Sequence, residues 1–281
     1  MPGGFPRGFL LEDEDGVIVG FNGFIPFDYE VDREPVPTLV TTSFFVRERH
    51  RSAVLGMLTR QRAYGKTHQI IDGSPSPEMR QLLARLGYAH SGERRQYFFP
   101  TARLGGAAAR SLLRTAGWSF ALPPGAGSVT NDPLALAGAT PPRDGRVHRH
   151  LGVTTWQWLT RVGSMPRRFF GLLDEAGAPL AYAIGLYKEK AGIKACLLMD
   201  YEDFHPEKKG LALLLRALLD DPRAAGLDAD TGLILLSLFE ADAPDTVPGL
   251  RRDSLLYYQL PPPWRDREKA FRPLEGDLPL I

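Results

Sequence analysis

One succession of elements occurs twice along the chain, and it sets the architecture before any composition is counted. Residues 8–24 (GFLLEDEDGVIVGFNGF) hold two apolar stretches around an acidic turn, where Asp15-Gly16 suits a tight antiparallel hairpin. Residues 38–46 (TLVTTSFFV) are rich in β-branched and aromatic side chains and free of Gly and Pro, so they are expected as a buried strand. The period then changes. Past Arg49-His50-Arg51-Ser52, the apolar positions Val54, Met57 and Leu58 fall at i, i+3, i+4, one face of a helix expected to run from an N-cap at Ser52 to about Ala63. Residues 68–72 form a short strand, and Gly73-Ser74-Pro75-Ser76-Pro77 breaks it before a helix marked by Met79, Leu82, Leu83 and Leu86 and stopped at Gly87. Residues 88–99 read as two further short strands.

The same order returns later. Residues 169–187 repeat the hairpin around Gly177, residues 193–201 are a buried strand, and Leu211, Leu214, Leu215 and Leu218 mark a helix. Residues 232–239 and 253–260 close the series as strands. Between the halves, residues 101–145 contain a Gly/Ala-rich helical piece and then Pro123-Pro124, Asn131-Asp132-Pro133 and Pro141-Pro142, the composition of a boundary. The expected organisation is α/β (α+β): a unit at 1–100, a linker with a helix at 101–145 and a second copy at 146–281.

The 281 residues leave room for two such units. Cys196 is the sole cysteine, which excludes a disulfide framework and a thiolate cluster and makes a cytoplasmic location the default. With 34 Lys+Arg against 33 Asp+Glu there is no broad field for a phosphate backbone or anionic lipid, so neither a nucleic-acid nor a membrane partner is expected. The apolar runs at 211–215 and 232–239 are far shorter than the roughly 20 residues of a membrane helix. Residues 1–7 lack the charged start and apolar run of a signal peptide.

The segment VRERHRSAVLGMLTRQ, between a β-rich stretch and a short strand, resembles the phosphate-binding motif of the GNAT acyltransferase superfamily: Arg or Gln, two residues, Gly, one residue, then Gly or Ala. Here it is Arg51, Ser52, Ala53, Val54, Leu55, Gly56, with Val54 in place of the first glycine. Ala84-Arg85-Leu86-Gly87-Tyr88 is similar to the family's closing Leu-Gly-Phe, and the second half looks like the C-terminal copy of tandem GNAT proteins, including residues 271–277 (FRPLEGD).

The resemblance implies acetyl-CoA, or another acyl-CoA, as co-substrate. Its pyrophosphate would lie on the N–H groups and positive dipole end of the helix at Arg51 to Gly56. Backbone amides of Phe45 and Val46 would polarise the thioester carbonyl, the strand splaying from its neighbour to admit the pantetheine arm. Asp72, Ser74 and Ser76 would border that arm, with Ser76 the best placed, although Ser76 also suits a plain N-cap before Pro77. The implied reaction is transfer of an acetyl group to a small-molecule amine by direct attack. A homodimer is left open.

The departures from the pattern favour a catalytically degenerate pair acting as a ligand- or protein-binding module. The inward candidates for a base, Thr41 and Ser43, are not bases, and the position of the general acid is Leu83. The first copy also lacks the initial strand and two helices that wall the acceptor site. Either translation begins upstream of Met1 or the second copy completes the pocket. An aminoacyl-tRNA-dependent transferase of the related peptidoglycan type would need a stronger basic surface than the composition provides. The second junction, residues 204–210, has one glycine and no such motif, so it is read as structural or acceptor-binding.

Other candidates carry bland alternatives. Arg51 either meets a phosphate or is a solvated loop arginine, and His50 relays a proton or sits on the surface. Glu48 is read as a salt-bridge partner, while Asp28 and Glu30 face an amine or are exposed strand-end carboxylates. His148 and His150 lack a third metal ligand, and Cys196 reads as a core residue. Of Trp156 and Trp158, too close to share a helix face, one should be core and the other at a domain contact.

Overall fold

The computed structural model describes residues 6–73, 75–101, 103, 127–140, 143–150, 152–161, 167–190, 192–239, 250–253 and 256–270. Ser74, the linker's Gly/Ala-rich piece beyond residue 103 and the segment 271–277 lie outside the described residues. β1 (Gly8–Glu12), β2 (Ile18–Val31) and β3 (Glu34–Val46) form an antiparallel meander. Its second turn is made by Asp32 and Arg33 at φ 50 and 80, which joins strands longer than the sequence pattern suggests. A 3-10 turn, Glu48–Ala53, leads into α1 (Val54–Tyr64), and β4 (Gln69–Asp72) returns parallel to β3. α2 (Pro77–Arg85), β5 (Ala89–His90) and β6 (Glu93–Pro100) follow.

Beyond the boundary come β7 (Ser128–Thr130), β8 (His148–Arg149), α3 (Val153–Arg161), β9 (Arg167–Leu173), β10 (Pro179–Lys190) and β11 (Ile193–Asp203). α4 (Gly210–Asp220), β12 (Thr231–Phe239), β13 (Leu250–Asp253) and β14 (Tyr257–Gln259) complete the series. β12 runs parallel to β11, as β4 does to β3. Two mixed sheets result, each of seven strands among the described residues.

The halves interlock. β6 leaves the first sheet and pairs antiparallel with β12, Tyr97 opposite Leu236, where Tyr97 and Phe99 enter the second core. β14 does the reverse, lying between β4 and β5 with Tyr258 opposite both Ile71 and Ala89. The segments 1–100 and 146–281 thus each lend one strand to the other's sheet. Part of the expected linker is also built in, since β7 pairs with β9; beyond it, β8 extends the edge of β2 at Tyr29 and Glu30.

Packing follows burial. Leu58 of α1 and Leu83 of α2 close one face of the first sheet over Phe24, Leu39, Ile70 and Tyr88. Leu214, Leu215 and Leu218 of α4 cover the second sheet, and Trp156 and Leu159 of α3 meet Phe169, Tyr182 and Ile184. A core shared by the sheets joins Tyr29, Val31, Val36 and Ile71 to Phe239, Leu256 and Leu260. As expected, Trp156 is core, while Trp158 sets its ring edge-on to Phe27 of β2 at 6.1 Å.

Candidate functional site

Each sheet opens where its parallel pair stops. β3 and β4 pair from Thr38–Gln69 to Thr41–Asp72, and β3 then runs on alone to Val46. Just past the divergence Ser43 and Phe44 together oppose Asn22, a bulge that turns the strand and holds Ser43 at φ 54. The Arg47 N–H donates to Val19 O (2.8 Å). Alternation along the ladder therefore turns the Phe45 N–H toward β2 and the Val46 N–H toward the open side.

α1 starts later than its sequence suggests. The 3-10 turn occupies Ser52, Ala53 stands at the cap, and no side chain caps the helix, so Ser52 is not the N-cap. The Val54 N–H donates to Arg51 O inside that turn, and with no side chain at the cap the positive end of α1 stays free of an internal anion. Val54 turns its side chain into the core beside Leu58, which leaves the backbone approachable despite the lost glycine. A Cβ placed on Gly56 would meet nothing within 4 Å, and Leu55 is exposed beside it.

Across the gap, Ser76 caps α2, accepting from Met79 N–H (3.3 Å) and donating to Glu78 (2.8 Å). The Glu78 carboxyl is held below its ordinary range, first by its own backbone N–H, then by Ser76, with a contribution from the Arg51 charge. The Arg51 charge thus reaches the start of α2. Asp72 is buried at the last parallel pair.

Sequence reasoning missed what holds this corner. Asn22, fully buried opposite the bulge, donates to Gln61 of α1 (2.6 Å), and Gln61 donates to the Tyr88 hydroxyl (3.0 Å). The chain of amides ties the bulge, α1 and the residue ahead of β5 together. Burial pushes the Tyr88 hydroxyl up, so it stays protonated. The available signal was a polar residue on each apolar face: Asn22 in the hairpin and Gln61 beside Met57 and Leu58.

The second opening is shut by its own side chains. β11 and β12 pair as far as Leu198–Leu236, with a bulge at Met199. There Tyr201 donates its hydroxyl proton to Ser237 O (2.9 Å), bridging the divergence. Asp203 accepts from the N–H groups of Gly210 (3.1 Å) and Leu211 (2.9 Å), filling the start of α4. Arg149 of β8 enters from the first sheet's edge and pairs with Asp200 (3.2 Å), which also accepts from Tyr182 (3.0 Å). His148 lies between Asp144 (2.7 Å) and Glu202 (3.4 Å).

The remaining candidates take structural roles. Glu30 pairs with His150 (2.6 Å), and Asp28 O accepts the His150 N–H, both far along β2 from the opening. Glu48 and His50 lie in the 3-10 turn. Cys196 is buried, its thiol pushed up to about 12 first by desolvation, and Leu83 is core. No metal-ligating cluster occurs among the described residues.

A mixed sheet opened beside a bulge, with a helix N-terminus at its mouth, is the fold of the GCN5-related N-acetyltransferases, and solved structures bear this out. One from Anabaena variabilis, described as such an acetyltransferase, matches at a TM-score of 0.55 and 11% identity, over 90% of this chain and 62% of its own. A probable N-acyltransferase of Enterococcus faecalis matches at 0.54 and 12%, over 89% and 60%. Eis1 of Mycobacterium abscessus matches at 0.54 and 15%, over 92% and 64%. The chain thus spans about three fifths of the length of these structures. No family profile matches the sequence, and no curated protein matches it significantly.

Proposed function

We propose that the chain is an N-acyltransferase that moves an acyl group, with acetyl the simplest case, from acyl-CoA to a small-molecule amine in the first opening. The observation that carries this is the contrast at the helix starts: α1 is uncapped and open at Gly56, while α4 is filled by Asp203. Arg51 and the turn from Ser52, Ala53, Val54 and Leu55 to Gly56 hold the pyrophosphate on this reading, and Ser76 borders the pantetheine arm. The Val46 N–H, on the open side, meets the thioester oxygen as charge develops there, whereas the Phe45 N–H faces β2 and holds the strand in place.

The amine attacks the thioester carbon, the C–N bond forms as the C–S bond breaks, and the electron pair leaves on sulfur. The amine proton ends on the thiolate, directly or through water, so no covalent enzyme intermediate is needed. Duplication of one unit, split across 101–145, explains the shared plan of the two sheets, and a cytoplasmic setting suits a free thiol and a CoA substrate.

A second reading keeps binding without turnover. It is favoured by the burial of Leu83 and by the absence of a carboxylate or imidazole at Thr41 and Ser43. Acetyl-CoA titrated by calorimetry should bind once per chain, and Arg51→Glu should weaken it about 10- to 100-fold, the value of a hydrogen bond to a charged group. No binding at about millimolar acetyl-CoA, roughly 4 kcal/mol of affinity, would sink both readings. Release of free thiol with a panel of amines separates turnover from binding.

A further inference from the structure

Resting on the acyl-transfer reading of the first opening, we propose that the thioester is delivered there by a small acidic carrier protein, which docks on the outer face of α1 and α2. The near-neutral total hides a local imbalance. From Arg47 to Arg85 the chain carries eight Lys/Arg against three carboxylates, while the remainder carries 26 against 30. Of those three carboxylates Asp72 is buried, leaving Glu48 and Glu78 at the surface.

Arg47, Arg49, Arg60, Arg62, Lys66 and Arg85 are all exposed, and among the described residues none of the six makes an ion pair. α1 and α2 lie on one face of the first sheet, and Arg60 and Arg62, two positions apart, flank the exposed side of α1, so these charges border one helical layer. A face of like charge without internal partners repels itself and calls for an anionic partner.

Reach separates that partner from a free nucleotide. A pyrophosphate at the first turn of α1 neutralises Arg51 and its neighbours, but the 11 residues of α1 extend about 16 Å. Arg60, Arg62 and Lys66 sit toward its far end, at or beyond the roughly 10 Å over which salt screens a charge. An acidic protein surface spans that distance, and one bearing an acyl-phosphopantetheine arm presents the thioester the opening is shaped to receive. The carrier's acyl carbon passes to the amine nitrogen, and its sulfur leaves as the carrier thiol with the amine's proton.

RNA is the less suitable polyanion. The Arg47 N–H bond to Val19 sets the β1–β2 hairpin beside this face, and its tip carries Glu12, Asp13, Glu14 and Asp15. Extended phosphates would run onto that acidic tip and onto the net-negative remainder, whereas a compact domain covers the helices alone.

The test uses a labelled acidic acyl carrier protein loaded with acetyl-phosphopantetheine, its binding followed by fluorescence anisotropy, with acetyl-CoA calorimetry on the same preparations. Binding should weaken about tenfold between about 50 and about 300 mM NaCl, and a further tenfold or more in Arg60→Glu/Arg62→Glu/Arg85→Glu. The matching Gln variant, gentler on folding, should lose less. Acetyl-CoA affinity should stay within about twofold in both, since none of the three lies at the cofactor turn.

A carrier that does not bind at low salt, or that binds the Glu variant as well as the parent, overturns the proposal. So does an RNA duplex that displaces the carrier and binds more tightly through the same arginines. Acetyl-CoA binding without carrier binding removes this inference alone. Loss of both in the parent protein removes the acyl-transfer reading beneath it.

Discussion

The β3–α1 and β11–α4 junctions are the same passage of chain finished in opposite ways. Each strand outruns its parallel neighbour past a bulge, and each is followed by an N–H that bonds back to the hairpin partner: Arg47 to Val19 O (2.8 Å), Phe204 to Leu180 O (2.9 Å). The strands end in Val46 and Asp203 respectively. Val46 leaves the helix start without an internal carboxylate; Asp203 occupies it. One side chain at the strand end, not the sheet, thus decides whether the helix start is filled, and two sheets of the same plan can differ there without differing in shape.

The comparison breaks most severely at Arg149. Arg149 and Asp200 are both buried, and removing one member of such a pair strands a charge, so Arg149→Met should cost about 3–5 kcal/mol in denaturant unfolding. If the second opening is closed only for stability, acetyl-CoA affinity of the folded variant should be unchanged. Transplanting the difference comes next. Val46→Asp should give α1 the internal carboxylate that α4 has and weaken acetyl-CoA about tenfold or more in calorimetry, with unfolding little changed.

Asp203→Ala removes a carboxylate that caps two amides and should destabilise by about 0.5–2 kcal/mol. Its charge state gives a second reading. Burial raises the Asp203 carboxyl above its ordinary 3.8, against the pull of its backbone N–H donors, so the folded chain holds that proton more tightly than the unfolded one. Stability therefore falls as pH climbs from that ordinary value through the raised one, and Asp203→Asn should flatten this slope in thermal unfolding. The smallest effect is expected at Gly56. Gly56→Ala meets no neighbour and should stabilise α1 by up to about 1 kcal/mol while weakening acetyl-CoA a few-fold; a gain in stability without any loss of affinity would mean the pyrophosphate lies elsewhere.

Local pattern carried most of the element order. The hairpin at Asp15-Gly16, the strand ending at Val46 and the helix marked by Met57 and Leu58 all stand where residue period and turn chemistry put them. What stayed hidden depends on distance in the chain. Residues 93–100 and 257–259 read as strands in either sheet, because alternation specifies a buried face and not a neighbour. Asp203 sits seven residues ahead of the helix amide it caps at Gly210, outside any local capping pattern. At the candidate site, Arg51 and Gly56 were legible from their motif. Asn22 and Gln61 were not, since they meet across 39 positions of sequence.

The exchange of β6 and β14 has a consequence for synthesis. The first sheet needs Tyr257–Gln259 between β4 and β5, so the opening at β3 and β4 is completed by a strand made long after them. The nascent first sheet must wait with an unpaired edge at β4, open to wrong partners, until β14 arrives. Contacts of such long range close slowly, and the two sheets are bound to a single cooperative transition. A chain cut anywhere near the middle would leave each fragment short of a strand that the other holds, and neither piece would be expected to fold without its complement.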